Sequence, residues 1–240
     1  MTRYITDVTS LQAKDLNNYD WDIIELDINI DHSSMLDWYN TILENYGDAQ
    51  FNISKTELVD EKLKDRLSTF AKEKLWGFPK QWTLQWSVLR DDAIPFRYLA
   101  DPKQFPEILQ DDFDEKFNTF LPQYYFGGFK DLVDMFGEGA WEVSRLVQLD
   151  KDTGLKKHID IDPPKFLPRM HYQIKYTPNA CWWFGENMER KYTLEQGKLY
   201  IMNTAVLHTA KNEDNEPWVM LHSNPTDSAI DKLFDIAVNG

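Results

Sequence analysis

Cysteine is almost absent from this chain. Cys181 stands alone, so no intrachain disulfide and no cysteine zinc cluster can form. "ACWWFG" around it reads as buried strand, which makes Cys181 a small core residue rather than a nucleophile. Basic residues are also in short supply. Lys and Arg number 26 against 40 Asp and Glu, for a net charge of −14. Such a surface repels a phosphate backbone, so nucleic acid and anionic membrane are poor partners. A local basic pocket for a small anion remains open, because a pocket and the whole-protein charge are separate matters. No apolar run approaches the roughly 18 residues of a spanning helix. The opening "MTRYITDVTS" lacks the apolar core of a secretory signal, and a cytoplasmic protein is expected. Phosphate-loop spacing, a nucleophile elbow, an internal repeat and a low-complexity linker are all missing.

What is present is ordinary globular composition with a surplus of rings. Hydrophobic residues make up 42% and aromatics 14% of 240 residues. That is enough for one sizeable core, and the chain is expected to form a single domain over 1–240.

Helical periodicity dominates the first half. "SSMLDWYNTILENYGD" puts Met35, Leu36, Tyr39, Ile42, Leu43 and Tyr46 on one face, with Ser34 and Asp37 as its start signal. Residues 54–79 repeat the pattern through Val59, Leu63, Leu67 and Phe70, closed by Gly77 and Pro79. Shorter helices are expected in 105–121 and in "GGFKDLVDMF". Strand signals start with "QWTLQWSVLR" and prevail after Trp141: "WEVSRLVQLD", "RMHYQIKYTP", "ACWWFG", "RKYTLEQGKLYIMNT" and "EPWVMLHSN". "SAIDKLFDIAV" closes the chain as a helix. The expected class is α+β with a mainly β core. A helical or mixed part over 1–140 packs on a jelly-roll barrel over 141–225, and a C-terminal helix fills 226–240.

Four of the five histidines, His158, His171, His208 and His222, fall in that β-rich part. In "HID", His158 and Asp160 stand two apart, so in an extended segment both point to one side and can meet one ion. A second histidine from a distant strand completes a two-histidine, one-carboxylate face. His208 in "AVLHTAKN" is the natural one. Such a face leaves positions open on iron(II) for a co-substrate and for O2. Pro163 and Pro164 read as the turn into the next strand. Read as a strand, "RMHYQIK" places Arg169, His171, Gln173 and Lys175 on one side and Met170, Tyr172, Ile174 and Tyr176 on the other. Its polar side either faces solvent or lines a barrel cavity that would suit a dicarboxylate.

The stretch from Trp141 to Asn224 resembles the aspartyl/asparaginyl β-hydroxylase branch of the 2-oxoglutarate/Fe(II)-dependent dioxygenases. The resemblance lies in "LPRMH" after His158, in "GKLYIMNTAVLHTAKN" with a histidine and then an asparagine, and in "EPWVML". It implies a double-stranded β-helix, also called a cupin-like barrel. It also implies oxidative decarboxylation of 2-oxoglutarate coupled to hydroxylation of a C–H bond. The substrate would be a small molecule or a peptide, with an amino-acid side chain as the reacting group. His158 and His208 would hold iron, and Arg169 and His171 would contact the co-substrate. Asp160 brings the chain toward the wider superfamily's full triad. The position of the family arginine that grips the distal carboxylate of 2-oxoglutarate falls on Trp218, which cannot make that bidentate pair. Lys175 and Arg145 are the candidate replacements, with His222 a weaker third. If none reaches the pocket, two readings stay open: a non-catalytic cupin-like binding protein, or another metalloenzyme on the same barrel.

Overall fold

The computed structural model describes residues 3–18, 20–47, 73, 75–77, 79–85, 120–160 and 168–239. The helices expected in 54–72 and 105–119, the second half of the 81–90 strand and the Pro163–Pro164 turn lie outside these residues.

Two antiparallel sheets face each other. The larger is built from β1 (Tyr4–Ile5), β2 (Ile23–Leu26), β4 (Lys80–Thr83), β5 (Trp141–Leu149), β7 (Arg169–Lys175), β10 (Leu199–Met202) and β12 (Trp218–Pro225). Its strand order is β1-β2-β10-β7-β12-β5-β4, with only β1–β2 parallel. The smaller holds β3 (Leu75–Trp76), β6 (Gly154–His158), β8 (Ala180–Phe184), β9 (Arg190–Tyr192) and β11 (His208–Asn212), in the order β3-β6-β11-β8-β9. From β5 to β12 the chain crosses between sheets at almost every connection. That alternation makes a jelly-roll, the double-stranded β-helix expected from the sequence.

Among the described residues before 141, strands accompany the helices. "WDIIEL" carries β2, missed because Ile23 and Ile24 are both fully buried and leave no alternation to read. Leu75–Trp76, expected as the end of a helix, is instead β3, paired to β6 at Leu155 and Gly154. The tertiary pairing overrides a local pattern there.

Helix α1 (His32–Tyr46) starts three residues earlier than expected. Its cap is Asp31, whose carboxylate accepts the Ser34 N–H at 3.1 Å. Its buried face is Met35, Trp38, Tyr39 and Ile42, while Leu43 turns outward. Helix α2 (Gly127–Phe136) crosses α1 where Gly128 meets the Met35 backbone. Helix α3 (Asp227–Asn239) buries Ala229, Ile230, Leu233 and Phe234.

These helices explain which way β7 faces. Met170, Tyr172 and Ile174 join Met35, Trp38, Phe129 and Leu233 in a core on the outer side of the large sheet. The second core lies elsewhere, with Trp182, Phe184, Met202, Trp218 and Met220 among its members. The apolar side of β7 is thus taken by helices, and its polar side turns into the barrel. The open choice between solvent and cavity resolves to the cavity. A buried carboxylate ties the sheets together at one end: Asp22, just before β2, accepts bonds from Arg190 and Tyr192 on β9 and from Arg3.

Candidate metal centre

The last residue of β6, His158, pairs in register with the first residue of β11, His208. Their ring centroids are 4.5 Å apart. Asp160 follows two residues past His158, its position fixed by a backbone bond from its N–H to the Thr204 carbonyl. One ligand atom from each of the three lies within 4.8 Å of the others.

The hydrogen bonds at the far side of each ring decide what the near side offers. His158 Nδ1 contacts the Lys156 carbonyl, and His208 Nδ1 contacts the Val206 carbonyl at 2.8 Å. A carbonyl only accepts, so Nδ1 carries the proton in both rings. In both rings Nε2 is thereby the atom turned toward Asp160 and the other imidazole. His158 Nε2 faces Asp160 Oδ1 at 3.0 Å. A proton or a metal ion between the two atoms makes that approach favourable. Two ligands at right angles on a metal with bonds of about 2.1 Å sit about 3.0 Å apart. The donor set fits a divalent transition metal.

Arg169 holds the other oxygen of the same carboxylate. Its Nε donates to Asp160 Oδ2 at 3.1 Å, and its Nη1 donates to Asn224 Oδ1. Burial pushes the Asp160 carboxyl upward, but the Arg169 charge and the His158 contact prevail and keep it well below the usual carboxylate range. Arg169 was expected to touch a co-substrate. In the fold it lines the same cavity, with its guanidinium engaged by Asp160 and Asn224.

A cavity of about 350 Å³ opens beside the triad between the two sheets. Apolar side chains from both sheets wall it, including Val147, Leu155, Trp182, Phe184 and Met220. Arg145, Gln81, His171 and His222 bring polar groups to it. His171 Nδ1 lies 3.2 Å from Met220 Sδ, and its ring meets Trp182 edge to face at 5.2 Å. Lys175 and Trp218 are not part of this lining. Lys175 ends β7, about 20 Å along the strand from Arg169, and its ammonium covers the Tyr39 ring at 4.9 Å. Trp218 fills the barrel interior instead, its indole N–H donating to Gln173 Oε1 at 2.7 Å and its ring edge to face with Trp182. Asn212, the asparagine of the "HTAKN" segment, is a loop anchor: it donates to the Leu149 and Glu216 carbonyls.

Sequence reading missed Thr204, Asn224 and Gln81. Asn224 carried a faint signal, since it follows His222 by two on the same strand. Thr204 and Gln81 carried none, because each acts through a neighbour distant in the chain.

Burial pushes His208 down to about 4 and His171 down to about 3. Both stay neutral in the fold, whereas in the unfolded chain they take up protons near 6.5. Their contribution to stability is therefore complete above about pH 6.5 and is lost as pH falls toward 4 and then 3. Each costs about 1.4 kcal/mol per pH unit within its window. Urea unfolding of the metal-free protein at several values between pH 7 and 5 is expected to show this decline. His171→Gln should reduce the slope by about one histidine's share.

No family model matches the sequence, and no curated protein matches it. Solved structures are similar in outline only. A Pseudomonas putida prolyl-4-hydroxylase aligns over 91% of this chain and 98% of its own, at 7% identity and a TM-score of 0.46. A 2OG-Fe(II) oxygenase family oxidoreductase from Burkholderia pseudomallei aligns over 80% and 91%, at 12% identity and a TM-score of 0.36. A viral collagen prolyl hydroxylase from Paramecium Bursaria Chlorella virus-1, solved as a 2OG complex, aligns over 73% and 93%, at 8% identity and a TM-score of 0.34.

Proposed function

We propose that this protein is an Fe(II)- and 2-oxoglutarate-dependent oxygenase that hydroxylates a C–H bond. The observation that carries the reading is the triad: two imidazoles whose Nδ1 atoms are held by backbone carbonyls, and a carboxylate whose second oxygen is held by Arg169. Two histidines and one carboxylate on one face suit iron(II) with positions left open. When bound, the metal would supply activation of O2, with 2-oxoglutarate as the source of two electrons and succinate and carbon dioxide as its products.

The chain's own residues do the rest. His158, Asp160 and His208 hold the metal, and the Lys156 and Val206 carbonyls keep the imidazoles turned toward it. Arg169 fixes the carboxylate so that Oδ1 alone faces the metal. His171 stays neutral and sits in the cavity as a neighbour for the co-substrate. Trp182, Phe184 and Met220 keep the space beside the triad dry, which protects reactive species from water. "LPRMH" and the Gly197–Lys198 pair leading into β10 favour the aspartyl/asparaginyl β-hydroxylase branch, and with it an amino-acid side chain, in a peptide or free, as the substrate. Among the described residues no helix is long and apolar enough to cross a membrane. A reducing compartment such as the cytoplasm would keep the iron ferrous.

Adding Fe(II) and 2-oxoglutarate without oxygen is expected to produce a visible metal-to-ligand charge-transfer band. Admitting oxygen should then release succinate. A protein that binds Fe(II) yet gives neither band nor succinate would be a binding protein or a different metalloenzyme, and the reading would fall.

A further inference from the structure

One turn stands behind two of the three metal-ligand candidates. Asp160 lies beyond the end of β6, and its N–H donates to the Thr204 carbonyl at 3.1 Å. His208 opens β11, and its Nδ1 donates to the Val206 carbonyl at 2.8 Å. Both carbonyls belong to the segment 203–207 that joins β10 to β11. His158 is held differently, by the Lys156 carbonyl of its own strand.

Asn203 pins that segment. It follows β10 directly and is fully buried. Its backbone N–H donates to the Asp22 carbonyl at 2.9 Å, one residue past the pairing of Met202 with Ile23. Its Nδ2 donates to the Trp21 carbonyl at 2.8 Å, and its Oδ1 accepts the Ala205 N–H at 3.1 Å. The last bond closes a turn of the Asx type, which fixes the backbone two residues on. Asp22 is anchored in its own right, because Arg190 and Tyr192 of β9 donate to its carboxylate.

We propose that Asn203 is a positioning residue for the metal centre, which ties the Trp21–Asp22 segment to the turn that orients Asp160 and His208. The inference rests on the triad being a metal centre, as the oxygenase reading requires. Asp160 lies outside the strands, so its place depends on the Thr204 carbonyl, and that carbonyl on the turn. A metal pulls ligands together only at a cost when they are not already placed, so affinity depends on the groups behind them.

The test is titration of the protein with Co(II), which accepts nitrogen and oxygen ligands as Fe(II) does and reports them in its visible bands. Asn203→Ala should bind Co(II) about 10- to 100-fold more weakly than wild type, with altered bands, the loss typical when supports of metal ligands are removed. Asn203→Ser should fall between, because its hydroxyl accepts the Ala205 N–H but does not reach the Trp21 carbonyl. Leu233→Ala truncates a buried side chain of α3 in the other core and serves as the control. It should lower stability in urea while leaving Co(II) affinity and bands unchanged. Wild-type affinity and bands in Asn203→Ala overturn the assignment, and where that variant fails to fold, the same result in Asn203→Ser overturns it. An equal loss of affinity in Leu233→Ala also overturns it, because affinity would then follow stability alone. In each of these cases a wild type that binds metal leaves the oxygenase reading standing. A wild type that binds neither Co(II) nor Fe(II) removes the metal centre, and both readings with it.

Discussion

Asp160→Asn is expected to abolish useful metal binding while leaving the fold in place. The amide keeps the size of the side chain and still offers Arg169 an oxygen in place of Oδ2. What it loses is the negative charge that faces His158 Nε2 at 3.0 Å. Outer partners of metal ligands alone are worth 10- to 100-fold in affinity, so loss of a charged ligand should exceed about 100-fold. Asp160→Ala should lose the metal and stability as well. It leaves the buried Arg169 guanidinium without its carboxylate, and breaking such a pair costs about 3–5 kcal/mol. Metal titration separates the variants from wild type, and urea unfolding separates them from each other. Full metal affinity in Asp160→Asn would place the ligands elsewhere and undo the triad.

Gly154→Ala is expected to damage the same centre without touching it. A methyl group at Gly154 would lie 2.1 Å from the Ala210 carbonyl oxygen and 2.8 Å from the Lys211 Cα, both backbone atoms of β11. Neither can rotate away, so β6 must move off β11. Overpacking of this kind costs about 1–3 kcal/mol, and Gly154→Val should cost more. His158 and His208 sit at the other end of that strand pair, in register with each other. Displacing β6 pulls their Nε2 atoms apart. Metal affinity should therefore drop along with stability, by about tenfold or more, as it does when the supports of metal ligands are altered. Normal affinity in a destabilised Gly154→Ala would mean that the two strands shift without carrying their histidines.

Gly154 also marks the limit of sequence reading here. In the sequence it is one glycine in a turn, and nothing shows that a facing strand needs the space. The triad was different. His158 and Asp160 are two apart, and the chemistry of a metal face needs only one more histidine in the β-rich part. Strands were legible where one face is apolar and the other polar, as in β7, but β6 and β11, which carry the two histidines, gave no such signal. Nor were β2 and β3 legible, which are short and held by their partners rather than by their own pattern.

The roles of the cations divide in the same way. In the sequence Arg169 was expected to contact the co-substrate, and Lys175 and Arg145 to replace the missing arginine at Trp218. Only register separates them. It sets Arg169 against Asp160, carries Lys175 down the strand to Tyr39, and puts Arg145 opposite His222 on the cavity wall. The sequence by itself determined the kind of site: residue types, their order, and a metal face two residues wide. Tertiary structure decided which charge pairs with Asp160 and which lines the cavity wall instead. Side-chain chemistry is local to the chain, whereas neighbours across a sheet are chosen by strand pairing between residues far apart in it.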